Sequence, residues 1–589
     1  MQDGNKEYIM IPQNYSNERS VQIVISVLKA HGIKRVIASP GTTNVTFVGS
    51  LQNDSWFEIY SAPEERSAAY MACGMAAETG EPVVITCTGA TASRDYLPGL
   101  TEAYYRKLPV LAITANQGRE NIGNLVPQNI DRRVLPNDVA KMSVYIPATK
   151  DAADEWHNTL LVNTAVLELF HHGGGPVHID LTSTYSGDFS VKELPATRII
   201  NRYMPYDNFP EMPEGRIAIF LGSHKLFTEE ETAAIDMFCA TNDAVVICDL
   251  TSGYKGRYAV NFSIAGSQVY SHSALADLHV LIHLGEVSGD YYGMALNPQE
   301  VWRVSEDGEL KDKFRKLTKV FEMRDIDFFT HYANTGNENN TQLKEHQALY
   351  KGCVELLPEL PFSNAWIAQK LTQEVPSGCV CHFGILNSLR SWNWFNIKNE
   401  VDTYSNVGGF GIDGSLSTVI GASLVHPEKL YFVFLGDLAF FYDMNALGNR
   451  HIGNNVRILL INNGVGSEFK LYSHPCYQWG DKANEYMAAA GHYGNKNREL
   501  VKNYVENLGF KYMTASSKEE FNSVYQGFLD TEKNDKPIVF EVFTDKENES
   551  SAQETILKLI APQSMKLANK IKNFVPDPLV QVAHKLLRR

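Results

Sequence analysis

Leu430-Tyr-Phe-Val-Phe-Leu-Gly-Asp-Leu438, followed by Val456-Arg-Ile-Leu-Leu-Ile-Asn-Asn-Gly464, decides how this chain folds. The first stretch is an apolar, aromatic-rich run of strand type that ends on Gly436-Asp437. Met444 to His451 reads as helical, and Val456 to Ile461 is a second strand ending on two asparagines. A strand–turn–helix–strand unit leaves an Asp at one strand tip and Asn at the next. In a parallel sheet those tips lie side by side, where open α/β sheets bind ligands. Oxygen donors on neighbouring tips suit Mg²⁺, which takes few protein ligands and completes its octahedron with water and phosphate oxygens. The plain alternative is an Asp in a helix-entry turn and an amide pair in a loop.

Size and composition bound what surrounds this unit. At 589 residues the chain exceeds one hydrophobic core, so three or four domains are expected. A hydrophobic content of 44% and a charged content of 21% are those of an ordinary globular protein. The net charge of −15 argues against non-specific nucleic-acid binding. The polar start lacks the apolar core of a signal peptide, and no run of about 18 apolar residues follows, so a cytoplasmic location is expected. The eight cysteines show no zinc spacing and read as reduced thiols.

Residues 14–190 alternate between strands and helices. Ser20 to His31 places Val21, Val24, Ile25 and Leu28 on one helical face. Val36 to Ser39 is a strand entering the Pro40-Gly41 turn, and Phe57 to Ser61 delivers Glu64-Glu65-Arg66 ahead of an Ala-rich helix. Pro82 to Cys87 ends in Thr88-Gly89, Tyr96 to Arg106 is helical, and Leu108 to Ala115 and Gly175 to Leu181 close the pattern. Such alternation implies a doubly wound parallel sheet. A second alternating region spans 200–335, where His283 reads as a core histidine, and Thr335 to Thr341 reads as a linker. The last domain, 360–560, carries Asn406-Val-Gly-Gly-Phe-Gly-Ile-Asp-Gly-Ser-Leu-Ser-Thr418, glycine-dense where a ligand approaches backbone. Residues 562–589 are basic and amphipathic, and either a membrane-surface or partner-docking helix or a terminal helix packed on the acidic body fits them.

Gly436-Asp437 and Asn462-Asn463, with the metal-bearing residues 26 apart, resemble the diphosphate motif of thiamine diphosphate enzymes. The resemblance covers residues 14–550 or so and implies three doubly wound α/β domains: pyrimidine-binding, central structural, and diphosphate/Mg-binding. It implies Mg²⁺ ligation by Asp437, Asn463 and the carbonyl of Val465. Cofactor contacts carry over to Gly41, Thr88, Gly89, Gly411, Ile412, Asp413, Gly436, Asp437, Leu438 and Asn463, with Ile412 as the bulky residue that bends the cofactor. Glu65, with Glu64 one position away as the alternative, matches the glutamate that hydrogen-bonds N1′ of the aminopyrimidine and so promotes deprotonation of the thiazolium C2. The capping of a helix near Ser67 is the plain alternative for this pair.

Gly-Ile-Asp-Gly followed by Ser-Thr, and Gly-Asp-Leu in place of Gly-Asp-Gly, narrow the resemblance to the menaquinone-pathway synthases. Those enzymes carry an arginine after their Ser-Pro-Gly turn, where this chain has Thr42-Thr43, and another near Val407. Thr and Val cannot grip a carboxylate bidentately, whereas Arg390 can. Five residues past Asn463, where the group has an aliphatic side chain, stand Glu468 and then Phe469. Glu468 would protonate a carbinol or shuttle a proton, and Gln128 matches a glutamine near the reacting carbon. Thr42, Thr43, Arg390 and Phe469 are expected to line the substrate pocket. The resemblance thus implies a 2-oxo acid decarboxylase or carboligase whose site joins two subunits of a homodimer or homotetramer. The menaquinone-pathway synthase itself and a non-catalytic thiamine diphosphate-fold binding protein are the alternatives.

Overall fold

A computed structural model of the chain describes residues 13–333, 338–492, 497–532 and 535–561. The basic amphipathic tail, and part of the Thr335 to Thr341 linker, lie outside them. The chain divides into two compact units, one holding the chain up to Met204 with Gly308–Val320, the other Pro205–Asp307 with the chain from Phe321 on.

The first unit holds β1 (Arg35–Ala38), β2 (Glu58–Ser61), β3 (Val83–Thr88), β4 (Val110–Asn116), β5 (Met142–Ile146) and β6 (Val177–Thr182). They form one sheet in the order β2-β1-β3-β4-β6-β5, and every pairing is parallel. Strand side chains alternate between faces, so each face builds its own core. Val84, Leu111, Ile113 and Ile179 meet the helices Arg19–Ala30 and Ala152–Leu167. Val83, Ile85, Val110 and Ala112 meet Glu65–Thr79 and Leu97–Arg106. The last two helices pack so closely that a Cβ on Gly99 would lie 2.4 Å from that of Ala69. The alanine-rich sequence after Glu65 is what permits that approach.

After β7 (Asn201–Tyr203) the second unit begins with β8 (Ile217–Leu221), β9 (Val245–Cys248), β10 (Ala259–Val260), β11 (Asp277–Leu284) and β12 (Asn297–Ser305), and β13 is Leu317–Glu322. Here β10-β9-β8-β11-β12 pair in parallel. His283 is buried within β11. The third sheet comprises β14 (Val380–Phe383), β15 (Asp402–Ser405), β16 (Tyr431–Gly436), β17 (Val456–Asn462), β18 (Lys511–Ala515) and β19 (Ile538–Phe543). Its order is β15-β14-β16-β17-β19-β18, again parallel throughout. Counted by position along the chain, the first and third sheets share one topology, 2-1-3-4-6-5.

One expected element is displaced. The helix placed at Met444 to His451 instead starts at Asp437 and runs to Asp443, followed by a 3-10 turn over Met444–Gly448. No turn separates strand from helix, because the Asp437 carboxylate accepts the Leu438 N–H at the helix's first turn.

Candidate active site

The tips of β16 and β17 carry the most buried ionisable group of the candidate set. Asp437 is 5% exposed. Its Oδ1 accepts from the Leu438 amide and its Oδ2 from the Gly464 amide, each at 2.8 Å. Burial pushes this carboxyl up to about 6 against the pull of those amides. The groups that hold it down most strongly are backbone amides. A buried carboxylate held by neutral donors is one to which a divalent cation restores charge balance. Adjacent oxygen donors exist: the Asn463 side-chain carbonyl, which accepts from Val465 N–H at 3.4 Å, and the Val465 carbonyl. Behind them Asn462 donates to Glu541 at 2.7 Å, and Tyr512 donates to the other oxygen at 2.8 Å, so the β17 end is fixed from below. The donor set is all oxygen and fits Mg²⁺.

Space for a ligand lies beside it. A Cβ built on Gly436, Gly408 or Gly409 would meet nothing within 4 Å. Packing therefore does not require glycine at these positions, and open volume faces the backbone. Gly411 differs, since a Cβ there would strike the Asp413 side chain. Ile412 packs against the core of the third sheet, and Asp413 is exposed. Phe410, just ahead of Gly411, has φ +55°, and Leu386, just ahead of Asn387, has φ +65°. Bulky residues in the left-handed region are costly and concentrate at functional sites.

In the first unit, Glu64 and Glu65 separate by role. Glu64 caps the helix Glu65–Thr79, accepting from Arg66 N–H at 3.2 Å and Ser67 N–H at 2.8 Å. Its carboxyl is held below the usual range, chiefly by the Ser67 hydroxyl. That carboxylate is committed to the helix, which leaves Glu65, half-buried in the first turn, as the acid available to a ligand. Nearby, the Thr43 and Thr88 hydroxyls bond each other, and a Cβ on Gly41 would crowd Thr88 at 2.9 Å. Thr42–Asn44 forms a 3-10 turn that brings Thr43 inward. Gly89 sits on Arg132, whose guanidinium a Cβ would meet at 2.5 Å. Gln128, with φ +64°, lines a small cleft together with Gly89, Asn116, Arg119, Arg132 and Asp180. Of the residues expected from sequence, Gly89 and Gln128 thus come together.

Three features escaped the sequence. Arg132 and Asp180, each 4% exposed, form a buried ion pair that also engages Thr114, and Arg119 reaches the same carboxylate at 3.3 Å while stacking on Tyr145. Asp180 within the apolar run Val177 to Leu181 was the signal, because a charge inside a buried strand requires a partner. Glu549, 3% exposed, accepts from Asn364 N–H, Thr544 hydroxyl and Asn387 amide at 3.0, 2.8 and 3.3 Å, and burial raises its carboxyl to about 7. Lastly, Arg390 and Glu468, expected as separate groups, are bound to each other. Both terminal nitrogens of Arg390 donate to Glu468, at 2.8 and 3.0 Å. Arg390 is therefore not a free anion ligand, and Glu468 is not a free proton carrier. Phe469 is half-buried beside His474, with ring centroids 5.3 Å apart.

Comparisons with known proteins match these two regions separately. Residues 19–135, which include Glu65, match the family described as "Thiamine pyrophosphate enzyme, N-terminal TPP binding domain". Residues 388–542, which include Asp437 and Asn463, match "Thiamine pyrophosphate enzyme, C-terminal TPP binding domain". Among similar curated proteins is the 2-succinyl-5-enolpyruvyl-6-hydroxy-3-cyclohexene-1-carboxylate synthase of Phocaeicola vulgatus, 31% identical over 91% of this chain and 97% of the relative. The enzyme of the same name from Bacteroides fragilis is 30% identical over 91% and 98%, and that from Flavobacterium johnsoniae is 27% identical over 89% and 95%.

Proposed function

This chain belongs to the thiamine pyrophosphate enzymes, and we propose that it is a Mg²⁺-dependent 2-oxo acid decarboxylase and carboligase, similar to the 2-succinyl-5-enolpyruvyl-6-hydroxy-3-cyclohexene-1-carboxylate synthases but with an altered acceptor pocket. The observation that carries this reading is the buried Asp437 carboxylate at the β16 tip, with the Asn463 and Val465 oxygens just past the neighbouring β17 tip. Bound thiamine diphosphate supplies a nucleophilic ring carbon and an electron sink for loss of CO₂ from a 2-oxo acid.

The chain's own residues prepare that chemistry. Asp437, Asn463 and the Val465 carbonyl would hold the cation, flanked by Gly436 and Leu438. Ile412, braced on the core, would support the bound cofactor. Glu65 would hold a proton at its carboxylate for the cofactor's pyrimidine, and Gly41, Thr88 and Gly89 would shape that ring's seat. Gln128 orients the reacting group from its strained position. Thr42, Thr43 and Phe469 contact the substrate. In this reading 14–190 is the pyrimidine-binding domain, 200–335 a structural domain and 360–560 the diphosphate domain. Glu65 and Asp437 come from different copies of the chain, which makes a homodimer the smallest active unit.

A screen of 2-oxo acids for CO₂ release with thiamine diphosphate and Mg²⁺ tests the proposal. Turnover of at least one acid, abolished by EDTA, is expected, and no release from any acid would sink it. A second reading, synthesis of the relatives' named product, is favoured by identity running over 91% of the chain. Incubation with 2-oxoglutarate and isochorismate separates the two, because only the second reading yields that product.

A further inference from the structure

Arg390 lies in the helix Asn387–Asn393 that follows β14, and Glu468 in the turn Ser467–Lys470 that follows β17. Strands β14 and β17 flank β16, whose tip carries Asp437. The two segments therefore stand on either side of the proposed metal site, at the same carboxyl edge of the sheet. They are joined twice, by the bidentate Arg390–Glu468 pair and by the Asn387 amide, which donates to Ser467 at 3.2 Å. The Arg390 side chain is 9% exposed and that of Glu468 is 21% exposed. Tyr291 and Tyr292 lie near enough to Arg390 to act on its charge, and Tyr291 packs on Phe410 at a centroid distance of 6.1 Å. Leu386 with φ +65° opens the helix, and the turn starts two residues past Val465.

We infer that the Arg390–Glu468 pair sets the charge of the substrate this enzyme accepts, excluding a second carboxylate by occupying the guanidinium that would bind it. The inference rests on the 2-oxo acid reading above. A substrate carboxylate needs two free N–H groups in a fork. Here an internal carboxylate already fills the fork, and any entering anion meets the like charge of Glu468 in a poorly hydrated setting. The closed pair is neutral as a whole, so the adjoining substrate group it favours is uncharged: an alkyl, hydroxyl or carbonyl group. A buried ion pair is weak evidence for stability, since an apolar pair of similar volume serves as well. Its place at the candidate site points to selectivity. Removing only the Glu468 charge leaves a buried guanidinium without its counter-ion. That is the condition under which an outside carboxylate binds.

The test compares two acids of equal chain length, 2-oxoglutarate with its distal carboxylate and 2-oxopentanoate without one. With the holoenzyme and its Glu468→Gln variant, the kcat/KM ratio of 2-oxoglutarate to 2-oxopentanoate is expected to rise by about tenfold or more, mostly through KM. The double variant Arg390→Gln/Glu468→Gln is expected to return the ratio to the wild-type value. A ratio unchanged within about twofold in Glu468→Gln overturns the inference. If Glu468→Gln does not fold, Glu468→Asp, which retracts the carboxylate from one N–H, is expected to move the ratio in the same direction by less. Equilibrium binding of glutarate to the cofactor-free protein gives a readout independent of turnover. Tighter glutarate binding by the variant than by wild type supports the inference, and equal binding contradicts it. Should wild type decarboxylate neither acid nor any other, the 2-oxo acid reading fails, and the glutarate comparison still decides what the pair does.

Discussion

The first and third sheets are built to one plan and put to different uses. Each is a six-stranded parallel sheet of order 2-1-3-4-6-5. In the third sheet the acid that matters, Asp437, is buried and receives two backbone amides from its own tips. In the first, Glu65 opens a helix half-exposed, and its neighbour Glu64 takes the capping bonds. On the proposed reading, the half that would hold the metal is therefore finished within its own fold. The half proposed to bind the pyrimidine presents an acid whose own unit leaves it partly in water, and the role proposed for that acid requires burial. On this reading a second copy of the chain supplies that burial.

The two units also differ in how they keep an internal acid. Asp180 is neutralised by Arg132, whereas among the described residues Glu549 meets neutral donors and carries a carboxyl raised to about 7.

The most severe challenge to the first contrast is Glu65→Gln. Decarboxylation should fall by about 10²–10⁴-fold while cofactor uptake persists, because the acid moves a proton and the anchor lies elsewhere. Unchanged turnover would remove Glu65 from its role. Mixing Glu65→Gln chains with Asp437→Ala chains, each inactive alone, should restore about a quarter of the wild-type rate, since only mixed dimers hold one site with both native acids. Persistent inactivity after subunit exchange would show that both acids of a site come from one chain.

For the second contrast, Arg132→Met should cost about 3–5 kcal/mol in denaturant unfolding, because it strands the buried Asp180 charge. A loss below about 1 kcal/mol would mean that Arg119 alone suffices. Glu549 gives the smallest effect and a definite sign. Its folded carboxyl titrates near 7 and an unfolded glutamate near 4.5, so the folded state holds an extra proton between these values. Its contribution to stability is full below the lower value, declines as pH rises to the upper one, and amounts to on the order of 3 kcal/mol. Glu549→Gln should lack that decline, and parallel pH profiles for variant and wild type would contradict it.

Much of this was legible in the sequence. The Gly436-Asp437 and Asn462-Asn463 tips and the alternating strands of the first unit follow from apolar runs with polar ends, which periodicity reports directly. Helix starts were harder. At Asp437 the helix follows the strand directly, with Gly436 both the last strand residue and the N-cap, so the glycine that marks the junction reads equally well as a turn. Arg132–Asp180 and Arg390–Glu468 were hidden for another reason: the partners lie 48 and 78 positions apart, and only the folded sheet brings them together. Single charged residues were visible in each case, and their pairing was not.

The measurement that bears most directly on the whole account is calorimetric titration of the purified chain with thiamine diphosphate, with Mg²⁺ and again with EDTA. Saturable uptake that needs Mg²⁺, and that Asp437→Ala abolishes, is the expected result. No uptake with Mg²⁺ present, or uptake indifferent to both EDTA and Asp437→Ala, would contradict the assignment of the β16 and β17 tips as the cofactor's anchor.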